Sequence, residues 1–308
     1  MNILLTGGTG FIGSNVLKLF SDKGHTVTVM ARNTDQVPAL KHLPGVSIVK
    51  AGIHDYDAIK DLVKGKDAVV HIALDYADGA VNMLKHDTLG SVNLFEESGK
   101  AGVKQIIYTS STATLDFLYM TEYGWKNFGG KTVDENTKPY PTTCYGATKA
   151  ASEVYLMAVS HEQNLRVNII RPGYIFGNPV VPGADSQPDQ RFRSIVESAK
   201  RGEDVNVVKN DGTQFLSANH IAQVYDAVLN DNCQRETYFA LGSKFISWEE
   251  IAQYAISSLK SKSKLIVEDK GYSPGYNMFG VSKIEKTYGL NFNNEWDMIK
   301  EHVDYLSK

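Results

Sequence analysis

A chain of 308 residues, 42% hydrophobic and 22% charged, has the make-up of a globular protein of one large domain or two intimate ones. Its formal net charge of −3 offers no positive field for nucleic acid, and two cysteines, Cys144 and Cys233, with no paired His motif, are too few for a disulfide framework or a zinc site. No apolar run is long enough to span a membrane and no leader-like segment precedes the first motif, so a cytoplasmic protein with reduced thiols, no metal, no nucleic-acid partner and no membrane partner is expected.

In chain order, a strand predicted over 2–6 runs into Gly7-Gly8-Thr9-Gly10-Phe11-Ile12-Gly13, which opens a helix over 11–23 closed by Gly24. The first glycine of such a turn permits a tight bend, the next lets a pyrophosphate approach the backbone, and the third lets helix and strand pack closely. The helix N-terminus adds free N–H groups and the positive end of its dipole, so this stretch predicts a dinucleotide site. The second strand, 26–30, leads to Arg32. NAD-selective sites place a carboxylate there for the ribose 2′-hydroxyl; none stands here, whereas Arg32 is a fixed cation suited to a 2′-phosphate. NADP is therefore the preferred cofactor and NAD the alternative. The plain reading of Arg32 is an exposed surface arginine.

Strands at 46–50, 68–72, 106–109 and 167–170 follow, with a helix at 57–63 capped by Asp55 and closed by Gly65. This alternation predicts a doubly wound parallel α/β sheet over residues 1–171. Past Pro172 the texture changes: Pro179, Pro182, Gly183 and Pro188 punctuate a loop-rich stretch, and residues 172–308 read mainly as a smaller substrate-binding region interleaved with the first.

Tyr145 and Lys149, four residues apart, share one face of any helix they lie on. A phenol titrates near 10 in the absence of neighbours, and an adjacent ammonium favours its phenolate, making Tyr145 a usable proton donor and acceptor. Lys149 is also placed to hold ribose hydroxyls. Tyr56 and Lys60 repeat the spacing with no other chemistry around them, so the spacing is not a signal by itself. What sets Tyr145 apart is the hydroxyl run Ser110-Ser111-Thr112 at the end of the fifth strand, where strand C-termini face the ligand crevice. Ser111 is the choice for polarising a substrate carbonyl, with Ser110 and Thr112 as alternatives beside it.

TGGTGFIG at 6–13, YTSS at 108–111, YGATK at 145–149 and RPGYIFG at 171–177 together resemble the extended short-chain dehydrogenase/reductase family, the NAD-dependent epimerase/dehydratase superfamily. In character the chain is most similar to dihydroflavonol reductase-like NADPH-dependent carbonyl reductases. The resemblance covers nearly the whole chain. It implies a Rossmann-type fold, a catalytic set at Ser111, Tyr145 and Lys149, and cofactor contacts from Gly7, Gly10, Phe11, Ile12 and Arg32. Further implied contacts are Ile53 near adenine, Ala73, Leu74, and Pro172 near nicotinamide. Three positions depart from the family pattern: Gly52 stands where Asp is frequent, Asp87 where Asn is frequent, and Thr213 where nucleotide-sugar enzymes commonly place an arginine for the substrate diphosphate. Arg191, Arg193 and Arg201 are the cations able to compensate.

The expected activity is reduction of an aldehyde or ketone to an alcohol by an NAD(P)-dependent oxidoreductase. The alternatives are a nucleotide-sugar epimerase or dehydratase with recycled NAD, and a dinucleotide-sensing protein without catalysis. Phe117, Tyr119, Tyr123, Trp125 and Phe128, beside Gly129-Gly130, suit either a lid over an apolar substrate or the packing of a long surface loop, with 178–190, Tyr272, Tyr276 and Phe279 as an opposite wall. The substrate is a small molecule. The resemblance implies that helices near 85–100 and 145–160 pair across a homodimer, while the composition suits a monomer equally.

Overall fold

The computed structural model describes residues 1–186, 189–272 and 279–308, apart from the side chain of Trp125. Short β-branched runs form six strands in the first 172 residues: β1 (Asn2–Thr6), β2 (Thr26–Ala31), β3 (Val46–Lys50), β4 (Ala68–His71), β5 (Gln105–Thr109) and β6 (Arg166–Pro172). Each predicted strand lies within two residues of an observed one. Between them run α1 (Phe11–Asp22), α2 (Tyr56–Leu62), α3 (Ala80–Met83), a π-helical turn at Leu84–Thr88, α4 (Leu89–Lys100), α5 (Phe117–Met120), α6 (Glu122–Phe128) and α7 (Cys144–Glu162). Asp55 caps α2 as predicted, its side chain accepting from the Ala58 N–H at 3.1 Å.

The second half contributes β7 (Ile175–Phe176), α8 (Arg191–Arg201), β8 (Val205–Val208), β9 (Gly212–Thr213), β10 (Leu216–Ser217), α9 (Ala218–Leu229), β11 (Glu236–Ala240), β12 (Ile246–Ser247), α10 (Trp248–Ser258), β13 (Leu265–Glu268), α11 (Ser282–Tyr288) and α12 (Glu295–Leu306). Of these, β11 returns to the main sheet beside β6, where no strand was predicted. The seven strands run β11-β6-β5-β4-β1-β2-β3, and every neighbouring pair is parallel.

Both faces of this sheet are covered, as a parallel sheet requires. Ile3 and Leu5 point into one layer with Val16, Leu17 and Phe20 of α1 and Ile221 and Tyr225 of α9. Leu4, one residue out of phase, points into the other with Leu94 and Phe95 of α4 and Leu156 of α7. The chain leaves β1 toward β2 on one side and reaches β4 on the other, and such a reversal opens a crevice at the strand C-termini. A separate aromatic core, Phe176, Phe192, Phe215 and Trp248, ties α8, α10 and α12 together beyond the sheet.

Within the aromatic stretch between Ser111 and Tyr145, Phe117 and Phe128 are packing residues. Phe117 is buried and meets Tyr123, Phe128 and Tyr140 in ring contacts at 5.7–6.3 Å. Phe279 packs on Phe239 at 5.0 Å, and Tyr119 and Tyr123 are exposed. The Trp125 side chain, Pro188 and Tyr276 lie outside the described residues.

Candidate active site

The glycine turn divides its labour by position. Gly7 sits at φ +71°, and a Cβ there would come within 2.7 Å of the Ala73 backbone nitrogen. A Cβ on Gly13 would lie 2.0 Å from the Gly7 carbonyl oxygen, so only glycine lets α1 seat against the turn. Gly10 differs: its Cβ would meet Gly7 O alone, at 3.4 Å. Gly10 is also the N-cap of α1, with no side-chain cap and no acidic residue in the first turn. An uncapped helix N-terminus next to an open backbone position is suited to an anion.

Arg32, Ile53 and Asp75 mark one end of the cleft. Arg32 extends from the end of β2, 72% exposed, and its Nη1 donates to Asp75 Oδ1 at 2.8 Å. Asp75 follows β4, 43 residues away in sequence, so the carboxylate missing from the end of β2 is supplied through space. His54 Nε2 lies 2.8 Å and His86 Nδ1 3.7 Å from Asp75 Oδ2. Gly52 lies against the Arg32 stem, where a Cβ would make only ordinary contact, 3.6 Å from Arg32 Cγ. Gly90 lets α4 close onto Ile53, since its Cβ would come within 2.7 Å of Ile53 Cγ1.

Ser111, Tyr145 and Lys149 mark the other end. Ser111 Oγ accepts from the Ala113 N–H at 3.1 Å, which leaves its own O–H to donate elsewhere. The N-terminus of α7 is pinned to this turn in two ways. Gly146 approaches so closely that a Cβ would stand 2.3 Å from the Ala113 carbonyl oxygen. Buried Asp116 accepts from Thr142 N–H at 2.5 Å and from the Thr143 hydroxyl at 2.9 Å, while Thr143 caps the helix by accepting from Gly146 N–H. Asp116 was not singled out in the sequence; nothing in its spacing announces this staple.

Lys149 is buried, with Nζ 3.7 Å from Asp87 Oδ2 and 5.2 Å from the Tyr108 ring centroid. Burial alone disfavours the ammonium, but Tyr108, Asp87 and Tyr145 around it outweigh burial and keep it charged. Burial also pushes the Tyr108 phenol up to about 12, so it stays neutral. Asp87 Oδ2 has no hydrogen-bond partner, while Oδ1 accepts from the Asp75 N–H at 3.0 Å. Behind it, His71 is lowered to about 3, by burial first and by Lys149 second. The neutral ring fits one hydrogen-bond direction. Ser91 donates to the Asp87 carbonyl at 2.8 Å, so His71 Nε2–H donates to Ser91 at 2.9 Å and Nδ1 accepts from Thr6 at 2.6 Å. Thr6 in turn accepts from Ala73 N–H at 3.2 Å, holding the end of β4 over the glycine turn.

One cavity of about 900 Å³ joins the two ends. Gly7, Gly10, Phe11, Ile12, Arg32, Ile53, Ala73, Leu74, Ser111, Tyr145, Lys149 and Pro172 all line it. Ser110 lines it as well and Thr112 does not. Asp75, Gln36 and Tyr174 are lining residues that sequence reasoning did not single out, and Asp189 lines the cavity from the 178–190 stretch. Thr213, Arg191, Arg193 and Arg201 are not among the described lining residues. Arg191 is paired with Asp189 at 3.2 Å and Asp211 at 3.5 Å over the Trp248 ring. Arg201 is paired with Glu203 and Glu197, and Arg193 with Glu197.

No helix among the described residues is long and apolar enough to cross a membrane. The family model described as the NAD dependent epimerase/dehydratase family matches residues 3–240. The 3 beta-hydroxysteroid dehydrogenase/Delta 5-->4-isomerase of Mycobacterium tuberculosis is 28% identical over 214 residues, covering 65% of this chain and 52% of the relative, about half its length. The anthocyanidin reductase ((2S)-flavan-3-ol-forming) of Vitis vinifera is 26% identical over 319 residues and 91% of each chain. Among solved structures, the UDP-glucose 4-epimerase of Thermotoga maritima with UDP-glucose superposes with a TM-score of 0.80 over 99% of this chain and 98% of that one. At 20% identity that likeness is one of fold.

Proposed function

Because the chain belongs to the NAD dependent epimerase/dehydratase family, we propose that it is a carbonyl reductase that uses NADPH in preference to NADH and turns an aldehyde or ketone into an alcohol. One observation carries the choice of reaction. Arg32 and Lys149 are the cations among the described residues that line the cavity, and neither is spare for a substrate diphosphate. Arg32 stands at the dinucleotide end and Lys149 is buried beside Asp87. The residues outside the described set, 187–188 and 273–278, contain no Lys or Arg. A nucleotide-sugar substrate would bring two phosphates to a site without a partner for them.

The residues fit a nicotinamide dinucleotide on structural grounds: the open backbone at Gly10, the uncapped start of α1, and apolar Ile53 and Pro172 at opposite ends. Gly7, Gly10, Phe11 and Ile12 would hold its phosphates, Ile53 its adenine, Ala73 and Leu74 its middle, and Arg32 a 2′-phosphate. Bound there, the cofactor supplies the hydride that a carbonyl carbon takes up. Ser111 donates its free O–H to the carbonyl oxygen. Tyr145 gives its phenolic proton to that oxygen, and the Lys149 ammonium stabilises the phenolate left behind. Asp87, itself buried, balances the charge of buried Lys149.

The Arg32–Asp75 pair does not stand in the way of a phosphate. Arg32 is 72% exposed while Asp75 is 17% exposed, and one guanidinium nitrogen, Nη1, holds Asp75, so the other N–H donors of the fork remain for a phosphate. The same carboxylate favours a second reading, a nucleotide-sugar epimerase or dehydratase with recycled NAD, because Asp75 is placed to accept from a ribose 2′-hydroxyl. A dinucleotide sensor needs none of Ser111, Tyr145 and Lys149.

NADPH consumption measured against a panel of aromatic and aliphatic aldehydes and ketones tests the proposal. The expected result is turnover that is faster with NADPH than NADH and absent in Tyr145→Phe. Conversion of a nucleotide sugar without net cofactor consumption would replace it with the second reading. Exposed Val81, Leu84, Leu89, Val154 and Tyr155 on the α3–α4 and α7 surfaces support a homodimer through that face, which sedimentation equilibrium measures.

A further inference from the structure

We propose that His54, Asp75 and His86 form a binding site for a divalent ion of the zinc class at the Arg32 end of the cavity. The three come from separate segments: the turn before α2, the stretch after β4, and the π-helical turn between α3 and α4. One ligand atom from each, two imidazole nitrogens and one carboxylate oxygen, lie within 4.8 Å of one another. The two distances to Asp75 Oδ2 are 2.8 Å from His54 and 3.7 Å from His86. Tetrahedral zinc, with bonds of about 2.0–2.2 Å, spaces its ligand atoms about 3.3–3.6 Å apart, so side-chain shifts of up to about an ångström, open to half-exposed rings, complete the set.

The chemistry of the donors selects the ion. Two imidazoles and a carboxylate suit zinc, nickel, copper or cobalt, whereas calcium and magnesium take all-oxygen sets. The carboxylate is already oriented, as metal-binding carboxylates are: Arg32 donates to its second oxygen at 2.8 Å and its own N–H donates to Asp87. The His54 and His86 rings meet edge to face at 5.2 Å, their nitrogens converging on one oxygen rather than facing away. π-Helical turns recur at functional sites because they swing a side chain out of helical register, and this one carries His86. Three protein ligands leave a fourth position for water. Asp75 lines the cavity, so an ion held here would stand at the Arg32 end of the cleft. Ion binding does not depend on which nucleotide the cleft takes.

Isothermal titration of tag-free, nucleotide-free protein with Zn²⁺ tests the site, with Mg²⁺ as the oxygen-preferring control. The expected result is saturable binding of one Zn²⁺ and none of Mg²⁺, unchanged in Cys144→Ser and weakened at least about tenfold in both His54→Ala and His86→Ala. Both histidines are exposed, and circular dichroism verifies that the variants fold. The same Zn²⁺ isotherm in the two histidine variants, loss of binding in Cys144→Ser, or no saturable binding in the parent protein would overturn the site.

Discussion

Tyr145 and Lys149 share a helix face but differ in surroundings: Lys149 is sealed in with Asp87 and Tyr108, while Tyr145 is half-buried and opens on the cavity. Removing the Tyr145 hydroxyl should therefore cost chemistry and not stability. In Tyr145→Phe, kcat should fall by about 10²–10⁴-fold, the usual worth of a positioned proton donor, with the melting temperature unchanged; steady-state rates and calorimetry measure the two. At the other end of the cleft, Arg32→Ala should weaken NADPH binding by about 1–3 kcal/mol, as for a lost charged hydrogen bond. NADH binding should be nearly unchanged, and fluorescence titration of both nucleotides separates these outcomes. Equal loss for both would mean that Arg32 does not read the 2′-phosphate. Arg32 was legible because it directly follows a strand. Asp75, which pairs with it, was not, because a contact between strand ends 43 residues apart leaves no mark on local spacing.

Among elements, the strand–turn–helix at the N-terminus separates packing from binding by glycine position. Gly13→Ala puts a Cβ 2.0 Å from the Gly7 carbonyl and should destabilise the fold by at least the ~1–3 kcal/mol of overpacking, measured by denaturant unfolding. Gly10→Ala meets no backbone closer than 3.4 Å and should fold normally but bind dinucleotide at least about tenfold more weakly. The sheet up to β6 was readable because each strand is a short apolar run bounded by turn residues, and both faces of a parallel sheet are buried. β11 was not, since Glu236-Thr237-Tyr238-Phe239-Ala240 opens with polar residues and joins at the edge, beside β6. The aromatic stretch after Ser111 was ambiguous for another reason: rings that cover a substrate and rings that cover one another have the same composition, and only the contacts of Phe117 tell them apart.

At the scale of the molecule, two buried histidines predict acid sensitivity. Burial is the main cause at both: His71 is lowered to about 3 and His302 to about 4, the latter also by Arg193. An unfolded chain takes up these protons near pH 6.5, while the folded chain refuses them until well below pH 5. Their contribution to stability is therefore complete above about pH 6.5 and declines as pH falls, by about 1.4 kcal/mol per pH unit for each histidine. Urea unfolding at pH 7 and pH 5 should show the decline, and His302→Gln should flatten it by one histidine's share. An identical slope in that variant would assign the acid sensitivity to other groups.

The most direct test of the reductase account is to denature freshly purified protein and identify by mass spectrometry the nucleotide it releases. A reductase must exchange its cofactor at every turnover, so the account predicts an empty site or a substoichiometric amount of NADP. Near-stoichiometric NAD would contradict it, since a tightly retained NAD belongs to an enzyme that oxidises and re-reduces one bound substrate.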